Sequence, residues 1–127
     1  MSQLTDELDR LKELTAQLLE YNRQALKHFE KHQMLKENGD FINEVKPFAD
    51  EVNQSVNEWI NPAVQYVRIN QTKYLHPQQL EAVHENIEIE AVTCFQADTK
   101  KKRFRERNKS IEYTLDLLHR ALNGEEN

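Results

Sequence analysis

The chain has 127 residues, 31% of them charged and 38% hydrophobic, with two glycines, three prolines and a formal net charge of −5. So few turn-forming residues disfavour a β architecture and point to long helices, and the length fits one domain, residues 1–127, large enough to bury its own core. No run approaches the ~18 apolar residues of a membrane span, the acidic start MSQLTDELDR does not read as a secretory signal, and the single Cys94 reads as a reduced, buried thiol of a cytoplasmic protein.

The first predicted helix carries Leu4, Leu8, Leu11, Leu18, Ala25 and Phe29 at 4-3 spacing, with Thr15 and Asn22 in the remaining seam positions. That spacing places them on one stripe. Ser2 or Thr5 is the expected N-cap; Asp6, Glu7 and Asp9 suit the positive end of the dipole, and Gly39 is the expected stop. Asp40 then caps a second helix through Phe41, Val45, Phe48, Val52, Val56, Trp59, Ala63 and Val67, which ends around residues 70–73. Pro47 is near enough to the start to be tolerated after one loose turn. Pro62 is interior and predicts a kink or a short break near Trp59–Asn61.

The third helix starts with Pro77 at its first position, His76 as N-cap and Gln79 as capping-box partner. Leu80, Val83, Ile87, Ala91, Cys94 and Phe95 make its buried stripe, whereas Glu81, Glu85, Glu88 and Glu90 lie off it. The fourth has the cleanest seam: Phe104, Asn108, Ile111, Leu115, Leu118 and Leu122, closed by Gly124, with a frayed tail after it. Four amphipathic helices with short links predict an all-α, antiparallel up-down-up-down four-helix bundle. The 4-3 spacing predicts a left-handed twist of about 20° between helices.

Lys73-Tyr74-x-His76-x-x-Gln79-x-Glu81-Ala82-Val83, together with VKP at Val45–Pro47, Trp59, KKRF at Lys101–Phe104 and YTL at Tyr113–Leu115, resembles the YppE-like family of small bacterial proteins. The match runs over about residues 40–118; residues 1–39 share helical character only. The chain departs from the family pattern after Trp59, where it carries Pro62. The resemblance implies a cytoplasmic four-helix up-and-down bundle and brings no activity, cofactor or catalytic residue with it.

Four groups of residues bear on function. Tyr74, His76 and Pro77 read either as a binding corner or as an aromatic staple plus N-cap, and the second is preferred because each residue has a local structural job. The run KKKRFRER, Lys100 to Arg107, has six cations, one acid and Phe104. Cations at a helix N-terminus are disfavoured by about 0.3–1 kcal/mol each at low salt. Pairing with the acids expected at the same end, namely Asp98, Glu30, Glu37, Asp40 and Glu44, would offset that. A nucleic-acid or anion patch is the alternative; the acidic remainder of the chain and the lack of a stacking platform argue against it.

Third, His28 and His32 are spaced i, i+4 and could chelate a metal at the surface. Glu81-x-x-His84 and Asp116-x-x-His119 resemble half of a two-metal bundle site, but the seam register turns Glu81 and Asp116 away from the core. Fourth, there is no phosphate loop or nucleophile elbow, and Ser2, Ser55 and Ser110 have no His in the same helical turn, so no enzyme activity and no cofactor are expected. Residues 76–99 carry five acids and no Lys or Arg, whereas residues 100–127 carry eight bases and five acids. Such segregated charge reads as a monomeric module that binds another macromolecule, a protein before a nucleic acid. The candidate surface is Tyr74, His76, Glu81, Glu85, Glu88, Lys100, Lys101, Lys102, Arg103 and Arg105, with Tyr66 a further anchor. A metal or small-ligand bundle using Thr15, Asn22 and Asn108 stands as the third class; polar seam residues otherwise fix register.

Overall fold

The structure is a computed structural model that describes residues 3–125, with side chains from Thr5 onward. Helix α1 spans Gln3–Leu35, a single π-helical turn spans Phe41–Val45, and α2 (Lys46–Asn70), α3 (Pro77–Thr93) and α4 (Lys101–Leu122) follow. Each helix packs on the next and α4 closes back on α1, while the diagonal pairs α1–α3 and α2–α4 touch far less. Links of a few residues make successive helices antiparallel, so the order around the bundle is the order along the chain. The Ser2 cap, the Leu4 side chain and the end of the frayed tail lie outside the described residues. Thr5 is inside α1 and does not cap it.

The expected seams form the core. Leu11, Leu18, Ala25 and Phe29 of α1 are buried, as are Val52, Val56, Trp59, Ala63 and Val67 of α2. All six seam residues of α4 are buried, and Phe104 stacks on Phe29 with centroids 4.1 Å apart. Leu14, Leu19 and Tyr21 widen the stripe of α1, as a helix with neighbours on two sides requires. The seam hydroxyl of Thr15 accepts the Trp59 indole N–H at 3.1 Å.

Four details differ from expectation. Helix α1 stops at Leu35, before Gly39; Lys36 takes the left-handed conformation at φ +56, and its N–H bonds the His32 carbonyl at 2.9 Å. Gly39 serves close packing instead. Its N–H reaches the Phe95 carbonyl at 2.7 Å, and a Cβ there would lie 2.8 Å from the Phe95 ring.

Second, Asp40 does cap the next element, accepting the Asn43 N–H at 2.7 Å, but that element is the π turn. Phe41 on it is 63% exposed and not in the core. Third, α2 runs unbroken through Pro62. Trp59 and Ala63 are fully buried on either side, so packing of the same face holds the helix across the hydrogen bond that proline cannot make. Fourth, the residue tucked under the start of α3 is Leu75, not Tyr74. Leu75 and Leu80, both buried, occupy the N′ and N4 positions of a hydrophobic staple. Tyr74, at φ +65, turns outward.

Candidate interaction surface and buried polar layer

Helix α4 has Lys100 as its N-cap residue, which makes no side-chain cap hydrogen bond. Lys100, Lys101, Lys102, Arg103 and Arg105 are all exposed, and none makes an ion pair among the described residues. The expected intramolecular pairing is therefore absent. Glu44, one of the acids expected to supply it, is engaged elsewhere: its carboxylate accepts the Asp40 N–H at 2.9 Å and lies 3.8 Å from Lys31 Nζ. The Asp40 N–H holds that carboxyl below its ordinary value. Gln33 and Asn38 tie this end together through Ala97 and Thr99, so the end of α1 and the start of α4 are neighbours.

The other candidates fall in different places. Glu81 and Glu85 are exposed on the outer side of α3, and Glu88 lies 3.8 Å from His84, whose other ring nitrogen meets Asn57 at 2.7 Å. Tyr74 and His76 sit at the opposite end from the basic run. The His76 backbone N–H bonds the Gln79 side chain at 2.7 Å, as the capping box requires, and the Lys73 ammonium stands 5.2 Å from the Tyr74 ring centroid. Tyr74 shares a hollow with Tyr113. Tyr66 is half-buried and its hydroxyl donates to the Ala121 carbonyl at 3.4 Å. The structure does not gather the ten candidates into one site.

The metal-like motifs are taken up by other contacts. Glu81 faces solvent and Asp116 pairs with Arg120 at 3.1 Å. His28 is not on an open surface; it lies against Phe95 and Phe48, with centroids 4.6 and 5.1 Å away. Burial and the neighbouring His32 and Lys31 lower its pKa. His32 is buried, its Nδ1 2.9 Å from the Glu37 carbonyl. No group of three His, Cys, Asp or Glu among the described residues could hold a metal ion.

One buried group escapes the sequence reading. Glu90, expected off the stripe, is fully buried. The Asn108 amide donates to its Oε1 at 2.8 Å, whereas Oε2 has no partner among the described residues. Asn108 also donates to Asn22, and the Asn22 amide returns a bond to the Asn108 carbonyl at 3.0 Å, so two seam asparagines and a carboxyl form one polar layer across α1, α3 and α4. Loss of hydration drives the Glu90 pKa up to about 8, against the Asn108 bond and the more distant Arg107 charge, so the group is mostly protonated at neutral pH. The signal was in the spacing: Val83, Ile87, Glu90 and Cys94 continue the 4-3 rhythm. The apolar neighbour Ala91 draws the stripe one position aside, and Glu is almost never fully buried. Burial also pushes the Cys94 thiol up, which keeps it un-ionised.

These features define an all-α bundle with an asparagine–glutamate layer inside and, outside, a basic run that makes no ion pair among the described residues. The chain belongs to the family described as "Bacterial domain of unknown function (DUF1798)", whose pattern matches residues 15–122. It is 26% identical over 108 residues to the Bacillus subtilis (strain 168) protein described as "Uncharacterized protein YppE", covering 85% of this chain and 88% of that one. The crystal structure of YppE from Bacillus subtilis superposes with a TM-score of 0.84 at 25% identity over 98% of both chains. A Listeria innocua protein of unknown function superposes at 0.87 and 25% identity, over 93% of this chain and 94% of that one. The resemblance is thus wider than residues 40–118 and takes in much of α1. No helix among the described residues is long and apolar enough to cross a membrane.

Proposed function

We propose that this chain is a cytoplasmic protein-interaction module that acts through the bundle end where α4 begins. The carrying observation is that five exposed cations at that helix start make no ion pair among the described residues. The helix dipole disfavours each of them there, so the fold alone gives no reason to keep them. Exposed apolar groups stand at the same end: Met34 is 80% exposed, Phe41 63% and Ile42 66%. Cations beside exposed apolar side chains suit a partner that brings acids and an apolar anchor.

The test is capture from a lysate of the native host with the tagged chain at low salt, in nuclease-treated and untreated halves. A specific protein retained in both halves, and lost on reversing Lys101 and Arg103 but not Glu81 and Glu85, is the expected result. Retention only without nuclease assigns the basic run to nucleic acid and refutes the reading, and so does an empty capture in both halves.

A further inference from the structure

Along the seam between α1 and α4 the surface sinks into two adjoining hollows that share Glu30. Lys27, Lys36, Lys101, Arg105 and Lys109 line them, and none of the five belongs to an ion pair among the described residues. Of the acids in the same walls, Glu112 is already held by Arg23 at 3.1 Å, which leaves Glu20 and Glu30. The groove is therefore positive in a chain whose net charge is −5. Its lining also has an apolar side: Leu26 is half-buried, Tyr113 is 62% exposed and Met34 is 80% exposed. Five like charges line a helix seam with only Glu20 and Glu30 beside them, and Met34 leaves most of its surface in water.

We propose that this groove docks an acidic amphipathic helix of a partner protein. The inference rests on the protein-interaction reading and adds the face and the chemistry of the partner. From the level of Glu20 to that of Lys36, α1 rises about 24 Å at 1.5 Å per residue, which accommodates a helix of about 16 residues. Acids along that helix meet the five cations, and an apolar stripe at i, i+3, i+4 and i+7 meets Leu26, Met34 and Tyr113. Tyr113 supplies a rigid anchor and Met34 an adaptable one. A polynucleotide would want successive stacking platforms, and the groove has one exposed ring, on a chain whose net charge is −5.

The test titrates the 15N-labelled full chain with three ligands. The first is an acidic amphipathic peptide of about 18 residues, with Glu on one face and Leu on the other. The second has the same composition with the Leu residues scrambled off the stripe. The third is a short single-stranded oligonucleotide. Expected are amide shifts confined to residues 20–36 and 97–113, roughly tenfold weaker binding of the scrambled peptide, and roughly tenfold loss in the double variant Lys101→Glu/Arg105→Glu. Both of those side chains are exposed, and circular dichroism checks that the variant is folded. Shifts elsewhere, no shifts at millimolar peptide, or tighter and steeply salt-dependent binding of the oligonucleotide would overturn the proposal. Benzoylphenylalanine replacing Met34 or Ile42 in the native host separates the two readings, because Ile42 is exposed at the same bundle end but lines neither hollow. Protein adducts from the Ile42 position alone overturn the groove and leave the interaction module standing; adducts from neither overturn both.

Discussion

Replacing Glu90 by glutamine probes the buried layer directly. Folding takes this carboxyl from an ordinary value of 4.5 to about 8, chiefly because it loses its water. Between those values the unfolded chain has released the proton and the folded chain keeps it. The folded value is the higher one, so the stabilisation is fully present below pH 4.5, is lost steadily as pH rises, and is gone above about pH 8. Each pH unit in that window is worth about 1.36 kcal/mol, so the whole window amounts to about 4–5 kcal/mol. Glutamine keeps the acceptor for Asn108 and has no proton to lose.

The stability of E90Q relative to the unsubstituted chain should therefore rise by about 3–5 kcal/mol between pH 5 and pH 8.5, or roughly 15 °C in Tm for a chain of this size. Groups that titrate in both proteins, His28 among them, cancel in the difference. Of the charged groups around Glu90, Arg107 opposes the shift and Glu112 reinforces it, and the buried Cys94 thiol stays neutral across the window. Urea and thermal denaturation of both proteins at each pH give the difference directly. A difference that stays flat from pH 5 to pH 8.5 refutes the reasoning, because it would mean that the carboxyl is already ionised, and therefore hydrated, in the fold.

Gly39→Ala forces a methyl against Phe95, which is 1% exposed and wedged among His28, His32 and Phe48. A loss of about 1–3 kcal/mol is expected, seen as a lower urea midpoint at unchanged m. Thr15→Val strands the buried Trp59 indole N–H and should cost about 1–3 kcal/mol, with a change in tryptophan fluorescence. Pro62→Ala restores a backbone donor within an unbroken helix and should raise stability by about 1–3 kcal/mol, read as a higher Tm.

The helices and most of the core were legible in the sequence, because apolar spacing is a local property that any helix obeys. The seam of α4 shows this: each of its six positions is buried. Boundaries were less legible. Gly39 reads as a stop because glycine often ends helices, yet here it makes room for a ring 56 residues further along the chain. Pro62 reads as a break because its local cost is known, whereas the packing of Trp59 and Ala63 that offsets it is not local.

The candidate surface divides in the same way. Sequence alone determined that the charges are segregated and that Lys100–Arg105 open a helix, since both follow from order along the chain. Tertiary structure alone decided that those cations make no ion pair among the described residues, that α1 supplies Lys27 and Lys36 to the same groove, and that Glu90 is enclosed with Asn22 and Asn108. Each of these is a relation between helices, set by their rotation and register against one another. A single-chain pattern fixes which face of a helix is apolar, but not which charge of a neighbouring helix comes to stand beside it.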